Sequence, residues 1–331
     1  MNSFGRIFRV SIFGESHGES VGIVIDGCPA GLPLTAEDFL PDLERRKGGT
    51  QKGTTPRQEE DLPIFKSGLF YNKTTGAPIT ILFENKNTRS ADYERQRDVP
   101  RPGHADFVAK KKFGGYEDYR GSGHFSGRLT VALVAAGVIA KKMLKEISVT
   151  SKILEIGGES DLDKGLQKAI DAKDSVGGII ECRVNGLPTG LGEPFFDSVE
   201  SQLSHLVFAI PAVRGIEFGT GFAAAKMFGS QHNDAIETME GKTRTNHAGG
   251  VVGGLTNGNE LVFRIAIKPT SSTPKEQNTL NWETGKVETT SVKGRHDLCI
   301  ALRVPVILEA VTAIVLADLM MLEQRIPRLI S

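Results

Sequence analysis

Three residue types that often reveal a function are scarce in this chain: its 331 residues include three cysteines, one tryptophan and four tyrosines. Cys28, Cys182 and Cys299 are odd in number and show no CxxC spacing. That excludes a disulfide framework, disfavours a structural zinc site and fits a reducing compartment. Net charge is lacking as well, since forty Lys and Arg balance forty Asp and Glu. Nothing in the overall charge therefore steers the chain toward nucleic acid or a membrane. A basic stretch from Arg45 through Arg46, Lys47 and Lys52 to Arg57 is local. With few aromatics beside it, it disfavours a nucleic-acid or simple phosphate-binding module. Met1 to Arg6 carry no apolar run of the signal-peptide kind. The most apolar run, 304–322, is interrupted by Pro305, Glu309 and Asp318, which suits a buried core helix better than a membrane span. A cytoplasmic protein with no membrane or nucleic-acid partner is the expectation.

Glycine, by contrast, is abundant at 38 residues, so many tight turns are expected. Apolar runs predict strands over 7–13, 21–25, 63–69, 78–83, 178–184 and 260–268. Helical spacing predicts helices over 35–47, 126–147, 162–172, 197–208 and 304–325. The first of these opens on a Thr35 and Asp38 capping box and is bent or restarted by Pro41. The segment 48–61 has no hydrophobic periodicity, and connections of that length are usually functional or disordered. No GxGxxG follows a strand, so a dinucleotide-binding fold is unsupported. Few strand–helix alternations and long helices that are apolar on most sides predict a layered α+β architecture, one domain over 1–331.

Three of the seven histidines lie in turns flanked by glycine and charge: Gly14-Glu15-Ser16-His17-Gly18, Arg101-Pro102-Gly103-His104-Ala105-Asp106 and Gly294-Arg295-His296-Asp297. Imidazole can both give and take a proton near neutral pH. Arg46, Lys52, Arg101, Arg128 and Arg295 sit in or beside Gly/Pro-rich turns, where guanidinium forks can converge on phosphate or carboxylate. Lys268-Pro269-Thr270-Ser271-Ser272 adds hydroxyl and backbone donors after a strand, a phosphate cradle in outline. Together they describe a site that binds a polyanion and protonates it, with Asp297 orienting or relaying. Ser16 beside His17 is not a nucleophile pair, because adjacent residues do not make that geometry and no GxSxG elbow is present. A His17, His104 and Asp297 metal set is conceivable, but no spacing demands it. His205, among Leu203, Leu206 and Val207, reads as a core or interface histidine, while His232 and His247 in polar turns are weaker ligand candidates.

The three histidine motifs, with Asn246-His247-Ala248-Gly249-Gly250 and Lys268-Pro269-Thr270-Ser271-Ser272, resemble chorismate synthase, in order and across nearly the whole chain. The resemblance implies a β-α-β sandwich, with long central helices between antiparallel sheets, assembled as a homotetramer. It implies a carbon–oxygen lyase of the shikimate pathway, on the route to aromatic amino acids. That lyase converts 5-enolpyruvylshikimate 3-phosphate to chorismate by an anti-1,4-elimination of phosphate that requires reduced FMN. By resemblance, His17 protonates the departing phosphate and His104 the reduced flavin near N1. Asp297, with Ser16 and Ser126 as relay candidates, helps the flavin N5 region accept the substrate's C6 proton. Flavin contacts map onto His124, Phe125, Ser126, Pro211, Ala212, Gly253, Lys268, Pro269, Thr270, Ser271, Ser272 and Arg295. Arg46 and Lys52 match positions for NADPH contact, and Arg46, Arg101, Arg128 and Arg295 are substrate-anion candidates. The flavin's electrons would come from NADPH or from a separate flavin reductase.

Two departures stand out. Many members of that family read Arg-Ser-Ser where this chain has His124-Phe125-Ser126, so the hydroxyl relay rests on Ser126 and the charge on a histidine. Position 52 is lysine where arginine is common, which weakens a bidentate grip there. Two other readings stand beside it: a flavin-binding reductase, for which no nicotinamide fingerprint is found, and a phosphate- or nucleic-acid-binding module using the loop from Arg45 to Arg57, against which the balanced charge and scarce aromatics count.

Overall fold

The computed structural model describes residues 1–49, 52–292 and 296–330. Two antiparallel sheets face each other across a pair of long helices. The first sheet runs in the order Ser3–Phe4, Arg9–Gly14, Ser20–Asp26, Ile79–Glu84, Ile64–Ser67, and the second Val213–Phe218, Leu261–Ile267, Gly178–Asn185, Ser148–Ile156. The helix Thr130–Met143 packs on the first sheet and Val304–Leu322 on the second, and the two helices pack against each other. This is the layered α+β sandwich expected from the sequence.

Pattern explains the layers. Val21, Ile23 and Ile25 alternate along Ser20–Asp26 and pair with Phe83, Ile81 and Ile79 in register, all six fully buried. One face of the sheet thus covers the helices, as period-two alternation requires. The helix Val304–Leu322 is long and apolar enough to cross a bilayer, but nearly all of its residues are buried between the second sheet and its partner helix. Its apolar character on every side is that of a core element. The helices approach closely at Gly137, where a Cβ would stand 2.5 Å from Ala310 Cα. Only a residue without a side chain permits that separation.

Two carboxylates buried against the central helices are fully partnered. Glu309 accepts from both terminal nitrogens of Arg45 at 2.7 Å, from Lys141 at 3.1 Å and from Ser151 Oγ at 2.8 Å. Asp318 accepts the backbone N–H groups of Arg6, Ile7 and Phe8 at 2.7–2.9 Å, anchoring the first sheet's N-terminal segment.

Several expected boundaries move for local reasons. The helix predicted over 126–147 spans only 130–143. Ser126 Oγ accepts the Arg128 N–H at 3.2 Å and opens a 3₁₀ turn over 127–129, and Lys145, at φ +30°, ends the run. The helix predicted over 35–47 is a 3₁₀ turn, Ala36–Phe39, restarted as Leu40–Arg46 at Pro41. Asp38 accepts the Thr35 N–H at 2.8 Å, the reciprocal half of a capping box. The strand Ser148–Ile156, the edge strand Val213–Phe218 and the hairpin Gln277–Leu280 with Val287–Thr290 were not anticipated. His205 does not lie in the core: its ring is exposed and meets Phe4 edge-on at 5.2 Å.

Candidate active site

The loops that leave the first sheet and the N-terminal ends of the two central helices converge on a cavity of about 510 Å³. Its wall combines Ser16, Gly48 and side chains from Thr55 to Asp61, His104, Gly121, Ser122, residues 124–130, Pro211, Ala212, residues 268–272 and Asp297. Sequence separations of more than 250 residues are closed here by the sandwich itself.

The segment Gly121-Ser122-Gly123 sits at the centre, with φ of +58°, +72° and +52°. Serine in the left-handed region is unusual, and two flanking glycines make such a tight path accessible. Gly121 faces His17: a Cβ there would lie 2.5 Å from the ring Nε2 and 2.9 Å from Ser16 Oγ. Ser122 faces the other histidine, its Oγ 3.2 Å from His104 Nε2. Two adjacent residues therefore seat both imidazoles. Tyr93 joins them from the far side, 5.2 Å edge-on to His17 and 5.9 Å from the Arg101 guanidinium. His17 itself lies one layer behind the cavity wall formed by Ser16, Tyr93 and Gly121, with Nδ1 3.0 Å from Ser90 Oγ.

Hydrogen bonding defines the His104 tautomer. Nδ1 lies 2.6 Å from Asp106 Oδ1 and 3.0 Å from Arg101 Nη2; the two Nη2 protons go to Asp106 Oδ1 and Ser122 Oγ, so the shorter carboxylate contact decides and Nδ1 carries the proton. Arg101 grips the same carboxylate, Nη2 to Oδ1 at 2.7 Å and Nε to Oδ2 at 2.8 Å. Arg101 Nη2 also donates to Ser122 Oγ at 3.0 Å, which leaves the serine O–H to donate to Nε2. Burial, followed by the Arg101 and Lys268 charges, pulls the His104 pKa below its usual 6.5, while Asp106 opposes the shift. Asp106 is held well below the ordinary carboxylate range by Arg101 and His104, against its own burial.

Every arginine of the wall has a carboxylate. Asp61, 4% exposed, bridges two of them: Oδ2 accepts from Arg46 Nη1 at 3.1 Å and Oδ1 from Arg128 Nη1. Arg46 is spent further on Thr130 Oγ1 and the Gly127 and Arg128 carbonyls at 3.1–3.2 Å. Arg57 donates to Glu59 at 2.8 Å and to Ser16 Oγ at 2.9 Å. Asp297 accepts from Arg303 at 3.0 Å and from the Thr55 N–H at 2.8 Å. Lys268 Nζ, lowered in pKa by burial and then by Arg214, donates to the Gly103 carbonyl at 2.9 Å and to Ser271 Oγ at 2.6 Å. Six cations against four carboxylates leave these groups a positive surplus, which suits a polyanion.

The family model for chorismate synthase matches residues 8–321, the span that builds all but the first short strand of the two sheets, nearly all of both helices and this cavity. The chain belongs to the chorismate synthase family. It is 73% identical to the chorismate synthase of Chitinophaga pinensis over 326 residues, 98% of each protein. It is 43% identical to that of Dehalococcoides mccartyi over 361 aligned positions, 100% of this chain and 99% of the relative. A solved crystal structure of a chorismate synthase superposes with a TM-score of 0.73 at 25% identity, covering 97% of this chain and 93% of that one.

Set against the family expectation, Ser16, His104, His124, Phe125, Ser126, Arg46, Arg101, Arg128, Pro211, Ala212, Lys268 to Ser272 and Asp297 share the one cavity. His17 stands behind the wall rather than in the lining, and two expected contacts lie elsewhere. Lys52 reaches Gln167 Oε1 at 3.0 Å, on the helix Leu162–Ala172, and Gly253 turns the small hairpin of Val251–Val252 and Leu255–Thr256, outside the cavity lining. Arg295 and Gly294 lie outside the described residues. His124 is a brace: Nδ1 is 2.9 Å from the Gly14 carbonyl and Nε2 3.1 Å from Asn2 Oδ1. His232 and His247 stack 5.8 Å apart in a polar turn away from this wall. Sequence reasoning missed Arg57, Asp61, Tyr93, Ser122 and Arg303. Arg57 and Asp61 lie in the aperiodic 48–61 segment and so carried a signal; Tyr93, Ser122 and Arg303 had none beyond residue type.

Proposed function

We propose that this chorismate synthase family member converts 5-enolpyruvylshikimate 3-phosphate to chorismate and inorganic phosphate with reduced FMN as a required cofactor, as a carbon–oxygen lyase of aromatic amino acid biosynthesis. One observation carries the reading: adjacent Gly121 and Ser122 seat His104 in the wall of one arginine-lined cavity and His17 directly behind that wall. A substrate with one phosphate and two carboxylates needs that charge, and a phosphate leaving group needs an acid beside it.

The residues present fit a flavin. Thr270 Oγ1 is buried in the wall with no hydrogen-bond partner among the described residues, so a donor or acceptor is owed there. Phe125, Pro211, Ala212 and Pro269 supply apolar surface, and Lys268, Ser271 and Ser272 polar groups. About 510 Å³ falls within the roughly 300–1,000 Å³ of small-molecule sites. When bound, reduced FMN supplies transient electron density that no side chain can offer.

The chain's own groups do the rest. Arg46, Arg101 and Arg128 orient the anion, already immobilised by Asp61 and Asp106 and so costing little reorganisation. His17 delivers a proton to the departing phosphate past Ser16. His104 holds Nε2 toward the flavin-binding wall. Asp297, with Ser16 and Ser126 as hydroxyl steps, takes up the proton released from substrate C6. The reading includes a cytoplasmic homotetramer. Phe195, Phe196, Phe222, Phe228 and Met239, each 79% exposed or more, support burial against further copies.

Anaerobic incubation with dithionite-reduced FMN and the enolpyruvyl phosphate tests the proposal. Chorismate absorbance and phosphate rise together if it holds. Phosphate without the diene marks a phosphatase, and NADPH-driven flavin reduction without phosphate release marks a reductase. Replacing dithionite by NADPH alone, then by NADPH with a flavin reductase, identifies the electron source.

A further inference from the structure

A second chamber of about 360 Å³ lies behind the first, and His104, Ser122, Ala105 and Phe125 line both. His104 and Ser122 are therefore part of a partition, with the anion cavity on one side and a chamber walled by Glu117, Asp118 and Lys110 on the other. Glu117 Oε2 is buried without a hydrogen-bond partner. Ser122 occupies its place at φ +72°, a conformation that costs a side-chain-bearing residue free energy and that glycine would adopt freely. What the serine adds over glycine is one hydroxyl, and that hydroxyl accepts from Arg101 at 3.0 Å and faces His104 Nε2 at 3.2 Å.

We propose that Ser122 is a positioning residue for His104, whose hydroxyl occupies the Nε2 lone pair and governs when the imidazole takes up its second proton. Because Asp106 keeps the first proton on Nδ1, Nε2 is the one nitrogen free to load. A donor hydroxyl there favours neutral imidazole. To charge the ring, the Ser122 O–H proton passes to Nε2 as Oγ takes a proton from hydronium of the bulk solvent, or the serine swings aside and hydronium protonates Nε2 directly; either way the imidazole gains one proton and hydronium becomes water. The charged groups facing the ring act in the same setting: Arg101 and Lys268 oppose protonation and Asp106 favours it. An anion in the larger cavity would reverse the balance. The role of His104 in turnover rests on the function proposed above, but the hydroxyl's hold on Nε2 does not.

The test is Ser122→Gly in the full-length protein, read by ¹⁵N-histidine NMR without ligand, with His104→Gln to assign the resonance. Glycine suits the backbone here, so the melting temperature should stay level or rise. The His104 midpoint should move up by as much as about one pH unit, the value of one neutral hydrogen bond, with Nδ1 still protonated. Ser122→Ala, which keeps the backbone strain but loses the hydroxyl, should move the midpoint equally. An unchanged midpoint in both variants overturns the inference, as does a drop in melting temperature with no shift in titration. If wild-type protein fails to make chorismate yet the midpoint still moves, the reaction is wrong and the Ser122 contact stands. If it makes chorismate, kcat should fall in Ser122→Gly with KM unchanged.

Discussion

Gly121 approaches His17 so closely that a Cβ on it would stand 2.5 Å from the ring Nε2. At φ +58° the position is also one that non-glycine residues adopt at a cost of about 1–2 kcal/mol. Gly121→Ala should therefore lower stability by roughly that amount and displace the imidazole, with a larger loss in turnover than in folding. Urea denaturation beside kcat separates the two effects; a stable variant with full activity would detach His17 from this seat.

Asp61 should behave as the keystone of the arginine pair. Asp61→Asn leaves Arg46 and Arg128, both nearly fully buried, without their carboxylate, and breaking a buried ion pair from one side costs about 3–5 kcal/mol. The two guanidinium groups hold the Asp61 pKa below 3.8 despite its burial. Its stabilisation is thus complete above pH 3.8 and is lost as pH falls below that value through the lower folded one. Acid unfolding followed by circular dichroism should shift to higher pH in the variant and lose that dependence.

His104 should titrate below 6.5 in the unliganded protein, because burial and Arg101 outweigh Asp106. The sign for stability follows: its contribution is complete above 6.5 and is lost as pH falls through the depressed value. Filling the cavity with inorganic pyrophosphate should raise the midpoint, since negative charge favours imidazolium. NMR titration with and without the anion checks both, and a midpoint unmoved by saturating pyrophosphate would place the anion away from His104.

Gly137→Ala tests the layer packing. Its Cβ would stand 2.5 Å from Ala310 Cα, so the helices must separate, and overpacking of this kind costs about 1–3 kcal/mol. The melting temperature should fall while the folded fraction keeps its activity. A stabilised variant, as alanine's better helix propensity alone would give, would contradict the close approach.

What could be read in advance followed from periodicity and from turn chemistry. The alternation in Ser20–Asp26 and the all-round apolar run of Val304–Leu322 each specify burial, so the two layers they anchor were legible. The edge strand Val213–Phe218 was not, because its half-buried pattern carries Arg214 and Gly215 and its partner lies about fifty residues on. In the site, histidine and glycine announced themselves by spacing, whereas Tyr93 and Arg303 are ordinary until folding brings them to His17 and Asp297. The His124 substitution was visible as a departure, but its use as a brace on Gly14 depends on a contact across 110 residues.

The most direct test of the account is single-turnover phosphate release by His17→Ala and His104→Ala, each with reduced FMN and the enolpyruvyl phosphate under anaerobic conditions. Loss of a positioned general acid costs about 10²–10⁴-fold in rate, so both variants should melt near the wild-type temperature and release phosphate at least a hundredfold more slowly. Wild-type release rates in either variant would contradict the two-histidine site on which the proposed chemistry depends.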